Sequence, residues 1–347
     1  MMETVLRRSA VVTLIALSAG CGYDSNAPES YGTPAVADAN EGLWIASGIN
    51  PALLRLAPSQ LLSNGRQIAS TTVTTSSASL LTINGIAFDD DGTMWVASAD
   101  DSLVLAFSPD ILATSGLSEA STVIAPVEQS LRASAGIAFD QSQRLWVANF
   151  TTGTIVRFDR GQLAAGGAQT PAVTISGMSG PTALAFDASG SLWVTNSTAH
   201  TLFKYTAVQL ERSGSPRPAV VLSAVDSSLS NPFALAFDAG GRLWVANIGT
   251  ATIAAFTPEM LAVTGSPTPE LEIVSLGDSS FVLPVGLAFD DEGNLWVGGG
   301  DDAVYRFAQS TLSPTGKPTP SKQLFLNGRT LLSGIAFWPK VPGLPIN

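Results

Sequence analysis

Apolar and polar residues along this chain recur with a period of about fifty residues, and within each period the main alternation is that of a β-strand. Gly136 to Asn149 shows it in full. GIAF alternates small with large residues, DQSQR is polar, and LWVAN alternates again. Close copies stand at 85 (GIAFDDDGTMWVAS), 183 (ALAFDASGSLWVTN), 234 (ALAFDAGGRLWVAN) and 286 (GLAFDDEGNLWVGG). Each copy predicts two antiparallel strands joined by an FDxxG hairpin turn, with Asp bonding its own backbone and Gly free to take positive φ. The copy at Asp140 has Gln143 in place of that Gly, which costs little if the position is not strictly left-handed.

A third strand follows in every period, at ALLRL (52), LVLAF (103), TIVRF (154), TLFKY (201), TIAAF (252) and AVYRF (303). After it a Leu recurs (Leu61, Leu112, Leu163, Leu210, Leu261, Leu312), and then a Gly (Gly65, Gly116, Gly167, Gly214, Gly265, Gly316). Thr257, Pro258, Glu259 and Gly265 supply an N-cap, a first-turn proline, an acid at the positive end and a left-handed closer. A short helix with an inward Leu is therefore expected in each period. A fourth strand (PAVTI, PAVVL, PELEI, SKQLF) completes the unit, entered in three copies through Pro-x-Pro (Pro216 and Pro218, Pro267 and Pro269, Pro318 and Pro320). Prolines there suit an outermost strand, whose free edge they blunt.

The sixth copy is split: EGLWIAS stands at 41 and SGIAFW at 333. A chain that completes its last repeat with its first closes into a ring. The expectation is an all-β, six-bladed β-propeller over 41–340, with four-stranded blades, a short helix in each, and the last blade closed by the N- and C-terminal segments. Residues 341–347 form a C-terminal tail. The small residues of GIAF suit the crowded axis, and the recurring Trp44, Trp95, Trp146, Trp193, Trp244 and Trp296 read as core packing rather than a stacking platform.

Composition alters this picture little, and charge narrows it. The 347 residues carry a net charge of -11, with no basic stripe, so nucleic acid is excluded as a partner and a neutral or cationic one is favoured. The front of the chain is unlike the repeats. Arg7 and Arg8 precede an apolar run from Ala10 to Leu17 that ends in Ser18-Ala19-Gly20-Cys21. Residues 1–20 read as a signal peptide whose h-region is too short to span a bilayer. LSAGC resembles the lipobox of bacterial lipoproteins, which implies cleavage before Cys21, a lipid on that cysteine and export to a bacterial membrane, with Ser18 departing from the usual Leu. Polar, proline-bearing 21–40 is then a flexible tether. With a single Cys, no disulfide staples the mature body.

The shared words G(I/L)AFDxxGxLWVAN resemble the NHL repeat and the six-bladed TolB-like propellers, including the SMP-30/gluconolactonase and streptogramin-lyase kinds. That resemblance implies the fold well and the activity poorly. In gluconolactonase-like enzymes metal ligands include residues just before the innermost strand. Here those positions are Asn84, Ala135, Thr182, Phe233, Val285 and Ser333, so only Asn84 matches a ligand type and no carboxylate is present. The acid that follows LWFT in streptogramin lyases is replaced by Ser47, Ser98, Asn149, Asn196, Asn247 and Gly299.

Strand alternation puts the loops after the second and fourth strands on one face. His200, the only histidine, falls there with Asn149, Asn196, Asn247 and the pairs Asp100–Asp101 and Asp301–Asp302. The FDxxG acids, even in DDDG and DDEG, read as turns, because a calcium loop must gather about six to eight oxygens. No nucleophile–base pair is visible. The sequence thus points to a monomeric, membrane-tethered, non-catalytic binding or scaffold module for an unknown neutral ligand or protein, with no cofactor. The candidate ligand contacts are Asn84, Asn149, Asn196, Asn247, His200, Asp101 and Asp301. The competing expectation is a degenerate SMP-30/gluconolactonase-like hydrolase or streptogramin-lyase-like enzyme.

Overall fold

The computed structural model describes residues 39–48, 51–75, 82–127, 130–224, 226–274, 283–300, 302–313, 318–327 and 331–340. The expected leader, the tether up to residue 38 with Cys21, the tail 341–347, Asp301 and Gly316 lie outside the described residues.

Each FDxxG turn is held by its own acid. In the hairpin between Ser134–Phe139 and Leu145–Asn149, Asp140 Oδ1 accepts the N–H groups of Ser142 and Arg144 at 2.9 and 3.0 Å, and Oδ2 accepts the Trp146 indole N–H at 3.0 Å. Asp89, Asp187, Asp238 and Asp290 do the same for Trp95, Trp193, Trp244 and Trp296. The turn acids are therefore spent on structure. Burial raises the Asp187 carboxyl, but hydrogen bonds from Ser189, Lys204 and the Ser191 N–H, with the Lys204 charge, outweigh it and hold the group below its ordinary value.

Six such units form a six-bladed β-propeller. Blade 1 holds Leu332–Trp338, Gly42–Ser47, Ala52–Leu56 and Thr71–Thr74 from the axis outward. Blades 2 to 6 begin with Ile83–Phe88, Ser134–Phe139, Pro181–Phe186, Pro232–Phe237 and Pro284–Phe289, each followed outward by three antiparallel strands. The split blade is real: Leu43 pairs with Phe337 and Ile45 with Ile335, antiparallel. Small residues stand at the axis because backbones meet there. A Cβ added to Gly85 would lie 2.6 Å from the Ala135 carbonyl oxygen, and one added to Gly136 would lie 2.5 Å from that of Thr182.

The core lies in the seams between blades. The tryptophan of one blade meets the phenylalanine of the next edge-on at 6.4 Å (Trp44–Phe88), 6.3 Å (Trp95–Phe139), 6.3 Å (Trp146–Phe186), 5.9 Å (Trp244–Phe289) and 6.0 Å (Trp296–Phe337). Such pairs add about 0.5–1.5 kcal/mol each beyond the area they bury, so the ring's cohesion is distributed over its seams.

The short helix expected in each blade is there, α-helical in Pro58–Leu61, Pro109–Leu112 and Arg160–Ala165 and 3-10 in Gln209–Glu211, Met260–Ala262 and Gln309–Thr311, and the Leu in it, or directly after it at Leu312, is buried except at half-buried Leu61. The reading of the following glycine needs correction. Gly265 does not close a helix in the left-handed region. It bridges in parallel to Leu222 of the preceding blade's outer strand, as Gly214 does to Ile175, Gly167 to Ile124, Gly116 to Val73 and Gly65 to Leu324. This strap covers the outer edge that the prolines were expected to blunt, and it brings three of the sheets to five strands. Gln60, Gln162 and Gln209 fasten the strap: each Oε1 accepts a backbone N–H three residues back (Ala57, Asp159, Thr206), and each Nε2 donates to a carbonyl eight residues on (Ile68, Thr170, Arg217).

The condition set for Gln143 is not met. The turn position is left-handed in every copy (Gly92 φ 79, Gly190 φ 75, Gly241 φ 78, Gly293 φ 75), and Gln143 takes it at φ 57. Its side chain offsets the strain by accepting the Asp90 N–H of the neighbouring blade at 2.9 Å.

Candidate functional site

Where they are described, the loop after a second strand and the segment entering the first strand of the same blade lie together on one face: the Ala99, Phe150, Ser197 and Gly249 N–H groups donate to the Thr82, Ala133, Gly180 and Ser230 carbonyls. Asn149 and Asn247 do not face solvent there. Both are fully buried: Asn149 donates to the Ser130 carbonyl (2.9 Å) and accepts the Arg132 N–H (3.3 Å), and Asn247 donates to the Ser228 carbonyl (2.9 Å) and accepts the Ser230 N–H (3.1 Å). Asn196 is equally buried and accepts the Ser179 N–H at 2.8 Å. These amides lock the second strand of a blade to the loop entering its first. They shape the mouth from beneath rather than line it.

His200 is exposed, at φ 55, and its Nδ1 accepts the Asn231 N–H of blade 5 at 2.8 Å. That bond takes the nitrogen a general base would use. Asp100 accepts a short hydrogen bond from the Thr82 hydroxyl, and Asp101 stands beside it in the same turn, half-buried. Asp301 is outside the described residues. Elsewhere, burial pushes the Tyr205 phenol up to about 12, so it stays protonated.

The axis itself is lined by the residue before each innermost glycine or alanine. Going round the ring these are Ser333, Asn84, Ala135, Thr182, Phe233 and Val285. Asn84 donates from Nδ2 to the Ser134 carbonyl (3.2 Å), and its Oδ1 has no donor among the described residues. Ser333 donates to the Ala46 carbonyl (3.3 Å). Thr182 is buried, its hydroxyl shared with Thr195 (2.7 Å) and the Pro232 carbonyl (3.0 Å). Phe233 and Val285 are half-buried, and Leu283 beside them is 43% exposed. In that order the apolar pair Phe233 and Val285 adjoins the polar pair Ser333 and Asn84, and Asn84 stands half the ring away from Phe233. The channel holds about 90 Å³, far below the roughly 300 Å³ of a small-molecule pocket, so a ligand must sit on the rim.

A divalent metal of the gluconolactonase kind does not fit this ring. A hard cation needs several oxygens and carboxylate charge, whereas the six positions offer one amide oxygen, two hydroxyls already bonded to carbonyls, and three apolar side chains. Among the described residues no three His, Cys, Asp or Glu side chains converge to hold a metal.

Sequence reasoning named five of the ring positions only as lacking a metal-ligand side chain, and Asn84 as a match to one and a candidate contact. Its amide candidates were chosen by residue type, and burial separates Asn84 from the other three.

Compared with known proteins, residues 66–176 match the SMP-30/Gluconolactonase/LRE-like region, which is less than half of the chain. No curated protein matches. Among solved structures, the chain is similar to one in a nidogen/laminin complex (TM-score 0.59, 16% identity, covering 84% of this chain and 96% of that one). It is also similar to a protein of unknown function from Bacteroides caccae (TM-score 0.60, 11% identity, covering 85% and 97%). A virginiamycin B lyase from Staphylococcus aureus aligns at a TM-score of 0.48 and 16% identity, over 69% of each chain. The likeness to the first two is one of fold.

Proposed function

We propose that this propeller is a non-catalytic binding or scaffold module, tethered to a bacterial membrane through a lipid on Cys21, that contacts a neutral ligand or protein at the channel mouth. The observation that carries the binding reading is the ring itself. Its six positions hold no charged side chain, and the amide oxygen of Asn84, which has no donor among the described residues, stands across the ring from Phe233, with Val285 next to it. Such a surface suits a molecule with both a hydrogen-bond donor and an apolar face. One neutral hydrogen bond contributes about 1 kcal/mol net and a covered aromatic somewhat more, enough for recognition without a reaction following.

Asn84→Ala combined with Phe233→Ala should weaken binding of a ligand returned by a glycan or neutral-peptide screen by roughly tenfold or more, read by calorimetry. Unchanged affinity would move the site off the mouth. The family match over 66–176 favours a second reading, a hydrolase of the SMP-30/gluconolactonase kind. Stoichiometric divalent metal in the purified protein, together with lactone hydrolysis, would put that reading first. The tether has its own test. Cys21→Ser should move the protein from the membrane fraction to the soluble one, since a lipid chain supplies the anchoring energy. Retention of the variant in membranes would refute the anchor.

A further inference from the structure

Blade 1 lacks the FDxxG hairpin because its first two strands come from opposite ends of the ring-forming chain, and Trp338 stands where other blades place their turn Asp. The seam between blades 6 and 1 is correspondingly open. On the face of the turns and helices it holds a cleft of about 410 Å³, within the range of small-molecule sites, roughly 300–1,000 Å³. Leu61, Phe337 and Trp338 are among its apolar walls, and Leu62 at the rim is 76% exposed.

Two other seams show what could have filled this space. Four residues after the turn Asp, blades 3 and 5 carry Arg144 and Arg242, and each crosses to the helical element of the next blade, Arg144 to Glu211 (3.1 Å) and Arg242 to the Leu312 carbonyl (3.0 Å). Blade 6 has Asn294 there. Its amide folds back on Asp290 (2.9 Å) and Glu292 (3.0 Å), so this side chain does not plug the seam.

Most charges around the cleft are already engaged. Glu292 pairs with Arg306 (3.0 Å), Lys322 donates to the Leu62 carbonyl (2.7 Å), Lys340 pairs with Asp90 (3.0 Å), and Asp290 serves its own turn and Trp296. The carboxylates of Glu41 and Asp291, both on the lining, have no ion pair or hydrogen bond among the described residues. An apolar, aromatic cleft with two unanswered negative charges complements a cation with an apolar body. We propose that the cleft between blades 6 and 1 binds an organic amine, its hydrocarbon against Leu61, Phe337 and Trp338 and its ammonium toward Glu41 and Asp291. This site lies on the face opposite the channel mouth and stands apart from the function proposed there.

The test uses the full chain and dansylcadaverine, an amine on an aromatic body, titrated by fluorescence anisotropy. A single saturable site is expected, with neutral dansyl amide binding more weakly. Glu41→Gln with Asp291→Asn should weaken dansylcadaverine about fivefold or more by removing both charges. Asn294→Arg, which installs the crossing arginine that blades 3 and 5 accommodate, should abolish binding while the melting curve stays native. Asn84→Ala with Phe233→Ala, at the mouth, should leave it unchanged. Absence of saturable binding, equal binding of the neutral compound, wild-type affinity in both cleft variants, or loss of binding in the mouth variant would each overturn the proposal.

Discussion

Gln143 shows how one side chain answers a backbone demand that its own residue type resists. At φ 57 it carries a Cβ in a region that suits glycine, at a cost of about 1–2 kcal/mol, and its amide returns about 1 kcal/mol through the Asp90 N–H of the next blade. Gln143→Gly removes both effects and should leave stability nearly unchanged. Gln143→Ala keeps the strain, loses the bond and should destabilise by about 1 kcal/mol, a difference that urea denaturation of the two variants resolves. The demand was not legible in the sequence, because a single Gln among four glycines looks like evidence of tolerance. The asparagines carry the same lesson. Their residue type marks Asn149, Asn196 and Asn247 as hydrogen-bonding groups, but which way each amide points depends on loops whose residues lie 17 to 19 positions away.

Strands were legible as elements because their period is local. The small-large alternation of GIAF and the LWVAN words place inner and second strands without reference to the rest of the chain. The recurring Gly after each Leu was not legible in the same way. A glycine some four residues past a helical turn fits a left-handed helix end, and it fits equally a strap that must lie flat against another blade. Only the parallel pairing of Gly265 with Leu222, or Gly65 with Leu324, decides, and those partners lie 43 and 259 residues apart in the chain. The same pairing changes the role of Pro216, Pro267 and Pro318. The strand each precedes is outermost within its own blade, yet where the strap is described its edge is already occupied by a neighbour.

At the scale of the whole molecule, closure depends on one strand. Removing residues 331–347 takes away the innermost strand of blade 1, bares the edge of Gly42–Ser47 and uncouples Phe337 from Trp296. The truncated protein should melt at a lower temperature and self-associate through that edge, seen as a larger species in size-exclusion chromatography with light scattering. A monomer with the full-length melting curve would mean that the ring holds without its clasp. The same break in the repeat opens the cleft at the seam of blades 6 and 1, so closure and the proposed amine site share one origin. The sequence by itself determined the six-bladed ring, the split blade, the Asp-bearing turns and the buried tryptophans, because each is written in a period repeated along the chain, and repetition makes a local signal unambiguous. The tertiary structure alone decided which amides are buried, that the glycines strap blade to blade, and that the seam of blades 6 and 1 holds an open cleft. Each of these is a contact between blades, and its energy depends on neighbours that no single repeat contains.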